Sequence, residues 1–230
     1  ILVDTQRSKN ELIEYFGCKS SKIVTQPFIP VLHKVYENCK NKINFESVVE
    51  KLGIKKNEKF IFYPAQFWAH KNHKYIIDVI EILKLQKKIN LKVVFCGSPK
   101  ENFKYVVSQV EKKNLKDNFY IFNFLTNEEI IALYKKTIAL VMPTYVARST
   151  LPLYEAFFFQ IPIFYSKDVL DKSLEEYVEV FDLKNANDLA NKIENFINNQ
   201  LTFKAKINKA HEYFKLNCSD QKFIKNFENI

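Results

Sequence analysis

The chain has 230 residues, 47% of them hydrophobic, with only three glycines and seven prolines; this supplies a full core and excludes a disordered segment, a fibre or a linker-rich array. No run of 18 apolar residues is present, so no membrane-spanning helix is expected. The net charge of +9 comes from lysines scattered over helical faces, with no arginine-rich run and no aromatic RNA-binding motif, which argues against nucleic acid and leaves a peripheral attraction to acidic lipid head groups as its expected consequence.

In chain order, Ile1 to Val3 is expected as a short strand. Ser8 to Phe16 follows as a helix, with Ser8 as cap, Glu11 at the capping-box position and Gly17 as its stop. Ile23 to Thr25 is a second short strand, and the prolines at 27 and 30 then break the pattern. Residues 31–56 are expected as a linker holding one helical piece, Phe45 to Leu52, ended by Gly53. A chain that opens on Ile1 is expected to be a piece of a longer one.

From Lys59 a regular alternation begins. Strands are expected at Phe60–Tyr63, Leu91–Phe95, Phe119–Phe122, Ala139–Met142, Ile161–Tyr165 and Val178–Phe181. Helices fall between them: Lys74–Leu85, Phe103–Lys113, Asn127–Lys135 (cap Thr126, box Glu129), Leu151–Phe159, Leu170–Tyr177 and Ala186–Asn198. Residues 201–228 close the chain with one or two helices. Each strand is apolar on both faces, which means a parallel sheet buried between two layers of helices. Right-handed crossovers then give an α/β, Rossmann-like, doubly wound domain, whose ligands bind beyond the carboxyl ends of the strands.

The candidate chemistry lies just after those strands. Behind Met142 come Pro143, a short polar loop with Arg148, Ser149 and Thr150, and a helix starting near Leu151-Pro152, where proline suits the first turn. A strand, loop and helix start aim free N–H groups and the positive helix end at an anion, most simply a phosphate. Arg148 is one of two arginines, and its fork suits phosphate bidentately. Glu155, on the first turns, can accept from vicinal hydroxyls such as those of a ribose; the alternative is a surface carboxylate with Ser149 or Thr150 as an ordinary N-cap. Lys71, in the loop after Tyr63, can set its ammonium on a diphosphate or be a solvated lysine before a helix cap. Gly97 either lets a ligand approach the backbone or turns the chain at a strand end. Cys18, Cys39, Cys96 and Cys218 contain no Cys-x-x-Cys pair, so free thiols in a reducing, cytoplasmic setting are expected. His70 and His73 lack a third ligand nearby, so no metal is expected.

The order Pro-Thr … Leu-Pro-x-x-Glu-Ala … Ile-Pro-Ile resembles the donor-site signature of family 4 glycosyltransferases of the GT-B fold. That signature carries two glutamates eight positions apart. Glu155 matches the second, and Ala147 stands where the first would be. Ala147-Arg148-Ser149 and the run Tyr-Pro-Ala-Gln-Phe-Trp-x-His-Lys-Asn-His are similar to a mannosyltransferase-like branch. The resemblance covers residues 59–200 well and 1–30 loosely.

It implies the C-terminal, donor-binding half of a retaining enzyme that uses a nucleotide-sugar and no metal or other cofactor. Residues 57–200 would be the donor domain, 1–30 the end of the N-terminal acceptor half, 31–56 the interdomain linker and 201–230 the closing helices. The family's diphosphate-gripping Lys and Arg fall on Lys71 and Gln66, the second a departure. Lys71 and Arg148 are the implied catalytic cations. Gln66, His70, Gly97, Asn123, Phe124, Ser149, Thr150, Leu151 and Glu155 are the implied donor-binding residues, with the nucleotide base held near Asn123. The acceptor would be a glycan or lipid-linked, as in cell-surface polysaccharide assembly, and the missing half of the same chain a partner. The departures at Ala147 and Gln66 keep open a non-catalytic, scaffold-like module, and the fold keeps open another GT-B enzyme such as a nucleotide-sugar epimerase.

Overall fold

The computed structural model describes residues 1–146 and 151–228. Its elements are β1 (Leu2–Val3), α1 (Gln6–Phe16), β2 (Val24–Thr25), α2 (Leu32–Cys39), α3 (Phe45–Lys51), β3 (Phe60–Pro64), α4 (His73–Leu85), β4 (Lys92–Cys96), α5 (Phe103–Lys112), β5 (Phe119–Phe122), α6 (Asn127–Lys136), β6 (Ala139–Met142), α7 (Leu151–Phe159), β7 (Ile163–Ser166), β8 (Glu179–Phe181), α8 (Ala186–Asn198), α9 (Lys204–Asn217) and α10 (Asp220–Glu228).

Six strands form one parallel sheet in the order β5-β4-β3-β6-β7-β8. Every residue of β6 and β7 is buried, as are the first four of β3, which is what continuously apolar strands require. Helices α4, α5 and α8 pack together as one group, and α2, α3, α6, α7 and α9 as another. The sheet is thus sandwiched as the alternating pattern predicts. The chain winds from β3 outward to β5, returns to the centre at β6, and winds the other way to β8. The β3–β6 pair is therefore the point where the strand order reverses.

Local sequence explains most element ends. Thr126 and Glu129 form the expected reciprocal capping box on α6. Gly17 takes φ 64° and stops α1. Gln160 takes φ 57° after α7, a left-handed position that favours glycine. Two expected features are corrected. The α1 cap is Thr5, whose hydroxyl accepts from Ser8 N–H, and Glu11 pairs with Arg7 instead of closing a box. The helix expected over 170–177 is a 3₁₀ segment, Lys172–Tyr177, capped by Asp171.

The stretch 31–56 holds α2 besides the expected α3. Tyr36 of α2 meets Phe158 and Phe159 of α7 edge-on, with ring centroids at 5.7 and 5.4 Å. This docking holds in place a helix too short to signal itself by periodicity. At the chain ends, β1 and β2 pair in parallel. Asn226 of α10 donates to the Gln26 side chain at 2.5 Å, and Gln26 donates to the Asn217 carbonyl at 3.3 Å. The two ends of the chain are thereby joined. Among the described residues no helix is long and apolar enough to cross a membrane.

Leu140 is fully buried in β6, flanked by Phe62 on one side and Ile163 on the other. Leu140→Ala is expected to cost about 2–5 kcal/mol, seen as a lower denaturation midpoint in guanidinium unfolding.

Candidate functional site

In a doubly wound sheet, crossovers leave opposite ways at the reversal of strand order, and a crevice opens beyond the carboxyl ends. Here that crevice is walled by the loop after β3 and the loop after β6. The first loop is fixed by its aromatic residues. Phe67 is fully buried, and its amide donates to the Ser98 carbonyl at 3.2 Å. Residues Ala69–Lys71 form a 3₁₀ turn, and Asn72 takes a left-handed φ of 54° that starts α4, a conformation asparagine tolerates. His73, at the head of α4, stacks on Phe67 at 4.5 Å and meets Phe95 edge-on at 4.9 Å. Burial pushes His73 down to about 4, so it is neutral, with Nε2 3.3 Å from the Ala65 carbonyl. Its Nδ1 and the Asn72 Nδ2 are buried without a hydrogen-bond partner among the described residues.

The second loop is laced to the first through one carbonyl. His70 O accepts from the Tyr145 amide at 2.9 Å and lies 3.1 Å from the Thr144 hydroxyl. Thr144 O in turn accepts from the Ser166 hydroxyl of β7 at 2.8 Å. Residues 147–150 follow. The expected roles of Arg148, Ser149 and Thr150, and the departure at Ala147, therefore lie outside the described residues. Leu151 is the first residue of α7, with Glu155 four residues on.

Lys71 and Glu155 carry the electrostatics. Lys71 is half-buried, its ammonium is held below the usual lysine range by burial, and it makes no ion pair among the described residues. A desolvated cation with no partner is costly and suits an incoming anion. Glu155 is half-buried, its carboxyl pushed up by burial, and the Tyr134 hydroxyl donates to its Oε2 at 2.6 Å.

Beside this crevice lies an open groove of about 670 Å³ whose lining brings together Gln66, Gly97, Asn123 and Phe124 with Cys96. Phe124 is 84% exposed, an uncovered ring at the mouth. Gln66 is exposed and accepts from the Trp68 indole at 2.8 Å, with the Lys100 ammonium 5.2 Å over that indole. Gly97 lines the groove, but what its missing side chain makes room for is the chain itself. A Cβ there would stand 2.3 Å from the Ala65 carbonyl oxygen. His70 has an exposed side chain and contributes its carbonyl to the lacing. A second cleft of about 260 Å³ between α1 and the end of β7 is lined by Arg7, Glu11, Tyr145 and Tyr165 among others. Sequence reasoning missed Tyr134, Thr144 and Tyr145. Each acts through a tertiary contact, and none carries a local signal. Among the described residues no group of three or more His, Cys, Asp or Glu is placed to hold a metal.

The family model described as Glycosyl transferases group 1 matches residues 44–214. A capsular polysaccharide biosynthesis glycosyltransferase, CapH, of Staphylococcus aureus is 26% identical over 125 residues, which is 50% of this chain and 34% of that protein. A glycosyltransferase structure from Rickettsia africae superposes with a TM-score of 0.84 at 18% identity, over 99% of this chain and 61% of that one. The Anabaena HepE structure, in complex with UDP and glucose, superposes with a TM-score of 0.81 at 13% identity, over 100% of this chain and 63% of that one. The chain thus spans about a third of the curated relative it matches. The two structures share its fold.

Two outcomes follow from this packing. Gly97→Ala is expected to destabilise by about 1–3 kcal/mol, read as a lower melting temperature, because the obstacle is rigid backbone. His73 is neutral in the fold but protonates in the unfolded chain below about pH 6.5. Its contribution is present above that pH and is lost as pH falls towards 4, a change of about 3 kcal/mol. Urea unfolding at stepped pH is expected to show this slope, flattened in His73→Phe.

Proposed function

The chain belongs to the glycosyl transferases group 1 family, and from this premise we propose that it is the donor-binding half of a retaining glycosyltransferase. Its donor is a nucleotide-sugar, and its acceptor a glycan or lipid-linked sugar of a cell-surface polysaccharide. One observation carries the reading. Lys71, an ammonium without an ion-pair partner among the described residues, sits on a loop whose next-door carbonyl holds the strand-to-helix loop leading to Glu155, at the reversal of strand order.

In this reading the diphosphate lies between Lys71 and the start of α7. Arg148 and the backbone N–H groups of Ser149, Thr150 and Leu151 add positive charge. Glu155 accepts from the ribose hydroxyls, and the base lies in the groove of Gln66, Gly97, Asn123 and Phe124, with His70 at the junction. The bond from the anomeric carbon to the diphosphate breaks, its electron pair stays on the leaving phosphate oxygen, and the acceptor oxygen bonds to the same face. Charge grows on the diphosphate as the bond breaks, and its leaving oxygen takes the proton that the acceptor hydroxyl gives up. Cations and helix N–H groups fixed in advance stabilise that charge with no metal. Residues 57–200 form the donor domain, 31–56 the connection, 1–30 the end of the acceptor half, and 201–230 the closing helices. The basic surface favours work at the inner face of a membrane, with a lipid-linked acceptor.

The sugar suggested by the branch resemblance is mannose, carried on GDP, whereas HepE was solved with UDP and glucose. Calorimetric titration with GDP, UDP, GDP-mannose and UDP-glucose decides between them. One nucleotide series is expected to bind selectively, and Lys71→Ala and Glu155→Ala are each expected to weaken it roughly tenfold or more. Absence of binding to all four by the folded protein would overturn the donor-site reading in favour of a non-catalytic module.

A further inference from the structure

The buried hydroxyl nearest the donor-site carboxylate belongs to a residue that the sequence places in an ordinary helix core. Tyr134, on α6, is 1% exposed. Its ring is locked, stacked on Phe159 at 5.3 Å with a 12° interplanar angle and edge-on to Phe62 at 5.1 Å. Packing of that kind leaves the ring no freedom to swing its oxygen elsewhere. The hydroxyl points at Glu155 and donates to Oε2 at 2.6 Å, the short length of a hydrogen bond to a charged acceptor. Oε1 makes no hydrogen bond among the described residues.

We infer that Tyr134 is a positioning residue of the donor site: its hydroxyl occupies Glu155 Oε2 and presents Oε1 to the ribose hydroxyls of the nucleotide. This rests on the donor-binding reading above. The chemistry is specific. A carboxylate that accepts from two vicinal hydroxyls must be ionised and must not rotate. Glu155 sits where burial opposes its ionisation, and the hydrogen bond from Tyr134 works against that burial. The Cys96 thiol, the other titratable group that acts on Tyr134, is kept neutral by a shift to about 11, caused by burial and then by Glu129. Among the described residues no cation shares the task. A packed phenylalanine would fill the same space, so the oxygen is the informative atom.

The test is Tyr134→Phe in the full 230-residue chain, which keeps the ring and its stacking. The probes are the nucleoside diphosphate that the wild-type protein binds and its 2′,3′-dideoxy counterpart. The variant is expected to lose roughly 10- to 100-fold in affinity for the ribonucleotide, the range of a hydrogen bond to a charged group, and to leave the dideoxy nucleotide unchanged. In a Glu155→Gln background the same substitution is expected to have no further effect. The loss is also expected to grow as pH falls, because without the hydroxyl Glu155 protonates at higher pH. Carbon-13 titration of the Glu155 carboxyl in the ligand-free variant reads that shift directly.

Equal loss for both nucleotides would make Tyr134 a merely structural residue and overturn the inference. So would unchanged affinity for both, or an unshifted carboxyl titration. Wild-type protein that binds no nucleotide would overturn the donor-site reading itself, which separates the two failures.

Discussion

The site depends on one constraint: the sheet changes winding direction between β3 and β6. Parallel strands need crossovers, and crossovers of one hand leave a gap only where successive ones diverge. Each loop bordering that gap is short and tied by hydrogen bonds to the other, through the His70 carbonyl. Everything of chemical interest in the first loop hangs from this arrangement. The loop that carries Lys71 is anchored by Phe67 and His73, which pack in an aromatic cluster. The cluster explains a histidine that is wholly buried and neutral. It anchors the loop and has no need of a proton to do so.

Stability and function are in tension at this edge. Among the described residues, a half-buried ammonium without an ion-pair partner, a half-buried carboxylate, and two buried side-chain nitrogens without a hydrogen-bond partner each oppose folding. The core around them is correspondingly dense: fully buried aromatic rings line both faces of the sheet, from Phe62 and Tyr134 on one side to Phe95 and Phe67 on the other. Such groups persist where surrounding packing over-determines them, and they cluster where a ligand completes the charge balance.

The two chain ends add a second theme. The β1–β2 pair and α1 reach the carboxyl edge of the large sheet, where the Arg7 amide donates to Asp171 and its guanidinium to the Asp168 carbonyl, both at 2.8 Å. α10 returns to the residue after β2 through Asn226 and Gln26. The cleft of Arg7, Glu11, Tyr145 and Tyr165 lies between α1 and the end of β7. It shares Tyr145 with the lacing of the crevice between β3 and β6.

The α/β class and the six strands from Phe60 to Phe181 were legible in the sequence alone. Strict alternation of apolar strands with amphipathic helices admits few other arrangements. The Thr126–Glu129 box was legible too, because its physics is local. Other features needed the tertiary structure. Helix α2 exists because Tyr36 finds Phe158 and Phe159. The α1 cap moved to Thr5 because a capping motif says which residue can cap and not which will. Gly97 was open between ligand and chain until the Ala65 carbonyl was seen against it. Tyr134 could not be read at all, since a tyrosine on a buried helical face is indistinguishable from core until its hydroxyl meets a carboxylate 21 residues away. Sequence determines what is periodic or local; which distant polar atoms meet is decided by packing, because that depends on how helices α6 and α7 are seated on the sheet.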